Sequence, residues 1–308
     1  MIKGKTMEYI IQTEGLCKYY KKFKALDGVD IHVPKGSIYG FVGRNGAGKT
    51  TLIRILSGVA FPTKGSFEIR GVKSTDRKIH EARSRMGAVV ETPSIYLDMT
   101  AEQNIRQQCR VLGKDFSCVD GILKLVGLSN TGKKLAKNFS LGMRQRLGIA
   151  FSLVNDPEFL ILDEPINGLD PQGIIEVRNL LTSLNKERGM TILISSHILD
   201  ELSKLATHYG FIEKGHILRE MSADEIEHAC RHMTRITVSD TGILSGVLDT
   251  MNADYKVISG TEAEIYSDFT VTPLVLALHE KGCEVGKLSE SHESLETFFI
   301  NMVGGAGI

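Results

Sequence analysis

The 308-residue chain has no tryptophan, only seven prolines, and no surplus of either charge, with 37 basic residues against 37 acidic ones. A chain held to nucleic acid by phosphate contacts carries a basic surplus, so no nucleic-acid partner is expected. No apolar run approaches the roughly 18 residues that a membrane-spanning helix needs. Lysines near Met1 to Glu8 have no apolar stretch behind them, so this end does not read as a secretory signal. Cys17, Cys109, Cys118, Cys230 and Cys283 are scattered, odd in number and never spaced C-x-x-C. They read as reduced thiols, neither a disulfide frame nor a zinc site. These absences leave a soluble chain, or the soluble subunit of something larger.

What is present is a strand–helix alternation. Tyr9 to Thr13, Val29 to Val33 and Ser66 to Ile69 alternate as strands of a half-exposed antiparallel sheet do. Turn residues separate them at Gly28, Pro34-Lys35-Gly36 and Thr63-Lys64-Gly65. Ile38 to Val42, Phe159 to Leu162 and Thr191 to Ser195 read as strands covered on both faces, as in a parallel sheet. Lys49 to Leu56, Pro171 to Arg188 and Leu199 to Ala206 read as helices, and the alternation predicts an α/β fold. Between Thr92 and Phe151 the strand signal vanishes. Helices over Ala101 to Leu112, Val119 to Val126 and Gly142 to Leu153 predict a helical insert over about 92–151.

After about Met221 the character changes again. The expected domains are 7–225 and 230–308, the second a small α+β unit. Its predicted strands are Arg235 to Ser239, Tyr255 to Ile258, Ala263 to Tyr266 and Val285 to Leu288; its helices are Gly242 to Met251, Thr272 to Lys281 and Ser294 to Met302. That β-α-β-β-α-β-α order suggests a ferredoxin-like appendage. It has no evident catalytic cluster, and His279, His292 and Glu293 read as solvated or structural. Gly304 to Ile308 reads as a frayed tail.

The chemistry concentrates elsewhere. Gly43-Arg44-Asn45-Gly46-Ala47-Gly48-Lys49-Thr50-Thr51 follows a strand and opens a helix, the context a phosphate-binding P-loop requires. Glycines let successive backbone N–H groups turn inward as a nest for phosphate oxygens, and the helix N-terminus adds partial positive charge. Lys49 then reaches the β and γ phosphates, and Thr50 offers a hydroxyl to Mg2+. The bland alternative is a Gly-rich turn. A P-loop also needs a metal-holding acid and a way to activate water. Asp163 and Glu164, at the end of the strand Phe159 to Leu162, supply both: Asp163 for the Mg2+ shell, Glu164 as general base. Two carboxylates capping a strand are the alternative for this pair. His197 follows another buried strand and could reach a γ-phosphate, although a lone histidine is more often structural.

With these residues in order, the chain resembles the ATP-binding subunits of ABC transporters over about Tyr9 to Gly215. Tyr20 in "CKYYKKFKAL" resembles the aromatic that stacks on adenine. Gly43 to Thr51 resembles Walker A, and "FLILDEP" resembles Walker B with its catalytic glutamate. "NFSLGMRQRLGIA" resembles the ABC signature, with Ser140, Leu141, Gly142 and Met143 at its head. "NGLDP" resembles the D-loop, which contains Asp170, and "ISSHILDE" contains the switch histidine, His197. The resemblance implies ATP and Mg2+, held between head-to-tail subunits of a homodimer or a pair of related ATP-binding chains. It also implies an integral membrane permease, which holds the subunit at the cytoplasmic face of the membrane.

Three departures stand out. Glu91 occupies the position of a usual glutamine that ligates Mg2+; an ionised glutamate only accepts hydrogen bonds. Leu141 and Met143 replace a glycine and a glutamine of the signature. Ile166 replaces a threonine before the D-loop. Glu91, "SLGMRQRLGIA", "ISSHIL" and the C-terminal "ESLETFF" together resemble the bacitracin-resistance and lantibiotic-immunity branch of bacterial ABC exporters. That implies export of a peptide antibiotic. An exporter of another cargo (a hydrophobic drug, sodium ion or lipid) and a soluble non-transport ABC ATPase are the alternatives. A GTPase reading fails, because Asn185-Lys186-Glu187-Arg188 lacks the aspartate of the guanine motif. In the family the surface after the glutamate receives a short helix of the permease; Ile95, Tyr96 and Leu97 are candidates to line it, or they pack inside the insert. Met7 resembles the family's usual start, which would make Met1 to Thr6 an extension.

Overall fold

The computed structural model describes residues 8–229, 232–267, 269–292 and 294–305, in two compact units that divide between Ala223 and Asp224. The readings for Met1 to Thr6, Cys230, Glu293 and the last three residues of the tail fall outside the described residues.

In the first unit β1 (Tyr9–Tyr20) turns at Lys21 and Lys22 into β2 (Phe23–Val29), followed by β3 (His32–Pro34). The single strand read over Val29 to Val33 is interrupted. The buried Thr13 hydroxyl donates to Val29 O at 2.8 Å and accepts the Ile31 N–H at 2.9 Å, which satisfies the backbone there without a continuous ladder. β4 (Ile38–Val42), buried at every residue, leads into α1 (Lys49–Leu56). β5 (Lys64–Ile69) and β6 (Val72–Lys73) join the first strands in a sheet of order β2-β1-β5-β6, with β3 beside β1.

After α2 (Ile79–Ser84) and β7 (Met86–Val89) comes the helical insert: α3 (Ala101–Val111), α4 (Val119–Leu125) and α5 (Leu141–Leu153). Thr100 and Gln103 form a reciprocal capping box at the start of α3. The chain returns through β8 (Phe159–Asp163), α6 (Pro171–Arg188), β9 (Thr191–Ser196) and α7 (Leu199–Ser203). Helix α7 ends at Ser203, short of Ala206: the Leu205 N–H turns to Leu202 O at 3.0 Å, one residue nearer than a helical bond, and the Thr207 N–H then goes to Ile38 O at 2.8 Å. β10 (His208–Glu213) and β11 (His216–Ser222), not anticipated from the sequence, complete a second sheet of order β11-β10-β4-β9-β8-β7. It is parallel from β10 to β7. Val42 pairs with Ser196, and Asp163 with Ser195, so three neighbouring strands end at one edge. Ligands of open α/β sheets bind at that carboxyl edge.

Helix α8 (Ala223–Ala229) precedes the second unit's β12 (His232–Val238), α9 (Thr241–Thr250), β13 (Tyr255–Val257), β14 (Glu262–Ile265), α10 (Val271–Glu280), β15 (Val285–His292) and α11 (Leu295–Gly305). The all-antiparallel order β13-β14-β12-β15 is ferredoxin-like. Ile236, Ala263 and Ile265 of the sheet pack on Leu244, Leu248, Leu274 and Leu278 of α9 and α10.

Candidate functional site

The loop from β4 to α1 is pressed against the body of the unit. An added Cβ on Gly43 would lie 2.5 Å from Ile212 O; one on Gly48, whose φ is 117°, would lie 2.6 Å from Ala25 O. Neither position tolerates a side chain without moving backbone. Lys49, 5% exposed, folds back over this loop. Its Nζ donates to Gly43 O at 2.6 Å and Arg44 O at 3.3 Å, and stands 3.3 Å from Glu164 Oε1. A cleft of about 260 Å3 opens beside it, lined by Asn45, Gly46, Thr50 and Thr51 from the loop and by Glu164 and His197 from two other strands' ends. Glycine backbone, a buried ammonium and two hydroxyl-bearing residues fit a polyphosphate.

Across the cleft Ser195 holds the Asp163 carboxylate and the Glu164 backbone. Its Oγ donates to Asp163 Oδ1 at 2.6 Å and accepts the Glu164 N–H at 2.9 Å. Asp163 is 2% exposed. Its carboxylate and the Thr50 hydroxyl are hard oxygen donors of the kind Mg2+ takes. Glu164 has φ 49°, a left-handed conformation that costs a non-glycine residue about 1–3 kcal/mol. The turn sends its side chain into the cleft, where Oε2 lies 2.8 Å from His197 Nδ1. Lys49, Glu164 and His197 therefore form one connected polar row. Beside a carboxylate Nδ1 carries the proton, so in the neutral ring Nε2 only accepts; the imidazolium alone offers N–H on both sides.

The other candidate residues lie apart from this cleft. Glu91, with φ 62°, pairs with Arg54 of α1 and lines a second, larger cleft of about 1180 Å3. Tyr20 lines that second cleft too, its ring 5.1 Å from Lys18 Nζ. Phe23, its hairpin partner and 61% exposed, lines the P-loop cleft instead. Ser140 caps α5 by accepting the Met143 N–H at 3.2 Å. It is exposed, as is Leu141, while Gly142 is buried and Met143 half-buried; none of the four lines the P-loop cleft. Asp170 caps α6 by accepting the Gly173 N–H at 3.1 Å. Of the coupling candidates, Tyr96 lines the second cleft and Leu97 is exposed beside it in sequence, whereas Ile95 is half-buried. Asn104, fully buried on α3, clamps this segment: it accepts the Tyr96 N–H at 2.8 Å and donates to Tyr96 O and Thr100 O at 2.9 Å. Ser195, Phe23, Arg54 and Asn104 were missed from sequence. Only Phe23 left a signal, an aromatic across a two-lysine turn from Tyr20.

Residues 26–167 match the family described as ABC transporter. Over 307 residues the chain is 40% identical to the bacitracin transport ATP-binding protein BcrA of Enterococcus faecalis, covering 98% of this chain and 99% of that one. The chain belongs to the ABC transporter family. As an ATP-binding subunit of that family its reaction is ATP hydrolysis coupled to transport. It is also 43% identical to the lantibiotic transport ATP-binding protein SrtF of Streptococcus pyogenes, over 71% of this chain and 93% of that one. The solved structure of cbiO1 from Clostridium perfringens, part of the ABC transporter complex cbiONQ, aligns with a TM-score of 0.65 at 26% identity, covering 80% of this ABC subunit and 96% of that chain. Among the described residues of the subunit, no helix is long and apolar enough to cross a membrane.

Proposed function

We propose that this ABC subunit closes on MgATP together with a second copy, or a related ATP-binding chain, and drives export of a peptide antibiotic of the bacitracin or lantibiotic kind through a membrane permease. The observation that carries the catalytic part is the row Lys49–Glu164–His197 in one cleft, with the signature residues outside it. A helix N-terminus binds phosphate, and the end of α5 headed by Ser140, Leu141, Gly142 and Met143 does not line the P-loop cleft of its own chain. It serves the partner's, in a two-fold pair in which each chain completes the other's pocket. Asp170, at the head of α6, belongs to the same contact.

Within the cleft, backbone from Gly43 to Thr51 cradles the phosphates. Lys49 exchanges the Gly43 and Arg44 carbonyls for β and γ phosphate oxygens. Thr50 and Asp163 would hold Mg2+, which would draw charge from the phosphate oxygens. Glu91 would join them only after leaving Arg54. Glu164 orients the attacking water and takes its proton, and His197 fixes Glu164 through Nδ1. An aromatic of the β1–β2 hairpin, Tyr20 or Phe23, stacks on the base. The second cleft receives the permease at the cytoplasmic face of the membrane. The cargo reading rests on the near full-length identity with BcrA, which extends over both units.

Glu164→Gln removes the base and keeps the pocket. This variant is expected to retain ATP and accumulate a dimer by light scattering; monomers at saturating ATP refute the paired mechanism. For the cargo, deletion of the gene is expected to raise sensitivity to bacitracin or a lantibiotic, and an unchanged resistance profile refutes that assignment.

A further inference from the structure

Two of the scattered cysteines meet in the helical insert. Cys109, in the last turn of α3, is fully buried; Cys118, the residue before α4, is half-buried. Their Sγ atoms are 3.7 Å apart. The sulfurs of Cys17 and Cys283 behave differently, contacting backbone and hydroxyl groups. A disulfide bond is about 2.05 Å long, so closing this gap needs side-chain rotation and a small adjustment of the link between the cysteines. That link, residues 110–117, is exposed throughout and contains Gly113 with φ 64°. It yields more easily than the packed helices do.

Access is one-sided. Cys118 lines a surface cavity of about 600 Å3 together with Lys114, Asp115, Ser117 and Gly121, and Cys109 does not. Burial pushes the Cys109 thiol up to about 11, with its hydrogen bond to Cys118 adding to the effect. An oxidant entering from solvent therefore reaches Cys118 first, with Cys109 behind it as the resolving sulfur.

We propose that Cys109 and Cys118 form a reversible dithiol–disulfide site in the helical insert, oxidised by hydrogen peroxide and reduced by a low-molecular-weight thiol. The peroxide converts the Cys118 thiol to a sulfenic acid and is reduced to one water. Cys109 Sγ attacks that sulfur, the S–S bond forms, and the sulfenic oxygen leaves as a second water with the Cys109 proton. The pair loses two electrons and two protons, and the peroxide accepts both. Two external thiols reverse the step by exchange and leave as their own disulfide. The crosslink ties α3 to α4. Because Gln108, Val111 and Leu112 at the end of α3 wall the large cleft, oxidation stiffens that wall.

The test treats the full chain, native and in denaturant, with one equivalent of hydrogen peroxide and maps the peptides by mass. The expected product is a peptide pair joined through Cys109 and Cys118, two hydrogens lighter and restored by dithiothreitol. It should form about tenfold faster in the folded protein than in denaturant, since the fold holds the sulfurs together, and amide exchange over 110–117 should slow. Cys109→Ser and Cys118→Ser should each abolish it. Crosslinking no faster than in denaturant overturns the proposal, as does Cys118 sulfinic acid beside an unreacted Cys109. Phenylarsine oxide, which bridges two neighbouring thiols, probes the unaltered chain independently of variant folding. Capture at these two cysteines supports the site, and no capture there overturns it.

Discussion

Replacing Ser195 by alanine removes one hydroxyl on which both candidate carboxylate residues depend. Its Oγ gives Asp163 Oδ1 a 2.6 Å hydrogen bond and takes the Glu164 N–H at 2.9 Å. Asp163 is 2% exposed, so water does not replace the lost donor readily. A hydrogen bond to a charged group contributes about 1.5–3 kcal/mol, and a neutral one about 0.5–1.5. The Glu164 N–H keeps a second acceptor, Ser195 O at 3.2 Å, so the loss falls mainly on Asp163, at about 2 kcal/mol. Ser196→Ala is the control: Ser196 is equally buried, but its Oγ meets only neutral backbone of Ile198, accepting the N–H at 3.0 Å and donating to the carbonyl at a long 3.4 Å, together worth about 1 kcal/mol. Calorimetric unfolding of the full chain should rank Ser195→Ala below Ser196→Ala. Turnover should fall roughly tenfold in Ser195→Ala, since about 1.4 kcal/mol of lost transition-state stabilisation suffices, while ATP affinity changes little. Equal melting of the two variants, or wild-type turnover in Ser195→Ala, refutes the assignment of Ser195 as the group that positions Asp163 and Glu164.

Lys49→Ala should weaken ATP binding about 10- to 100-fold, the value of one charge-assisted contact; a titration with fluorescent nucleotide that matches wild type rules out a phosphate role. Glu91→Gln breaks an exposed ion pair with Arg54, so unfolding free energy should move by less than about 1 kcal/mol while turnover or coupled resistance changes; no change in either shows the substitution to be neutral. Tyr39 is buried and donates to Glu220 Oε1 at 2.5 Å; burial first, and then the Glu220 charge, raise its pKa well above the ordinary value. The folded state thus favours the neutral phenol. That stability is complete below the unfolded pKa of about 10 and lost as pH rises above it. Urea midpoints from about pH 8 to 11 should fall more steeply for wild type than for Tyr39→Phe, and parallel slopes contradict this.

Legibility in the sequence followed the range of the interactions. The end points of α1 and α6 were read correctly at both ends, because caps and apolar spacing lie within a few residues of each end: Gly48 before Lys49, and Asp170-Pro171 with Gly189 at the other helix. β12 through β15 were recognised as elements for the same reason. The break between β2 and β3 was not, since it depends on the hydroxyl of Thr13 in another strand. Nor did β10 and β11 register as strands, although β10 pairs along β4 and β11 along β10. The pairing of Glu91 with Arg54, the swap of Tyr20 and Phe23 between clefts, and the meeting of Cys109 with Cys118 all join residues whose spacing carries no pattern.

The amino-acid order by itself determined the chemical inventory and its local presentation: a glycine loop between strand and helix, two carboxylates ending one strand, a histidine ending another, a serine opening a helix. Those features rest on backbone torsions and hydrogen bonds between near neighbours in the chain. The tertiary structure alone decided which of them meet. The parallel order β4-β9-β8 brings three strand ends to one sheet edge, so Lys49, Glu164 and His197 share a cleft while Ser140 heads a helix outside it. Strand order is set by burying apolar faces across the whole sheet, a sum over distant residues that no local stretch encodes.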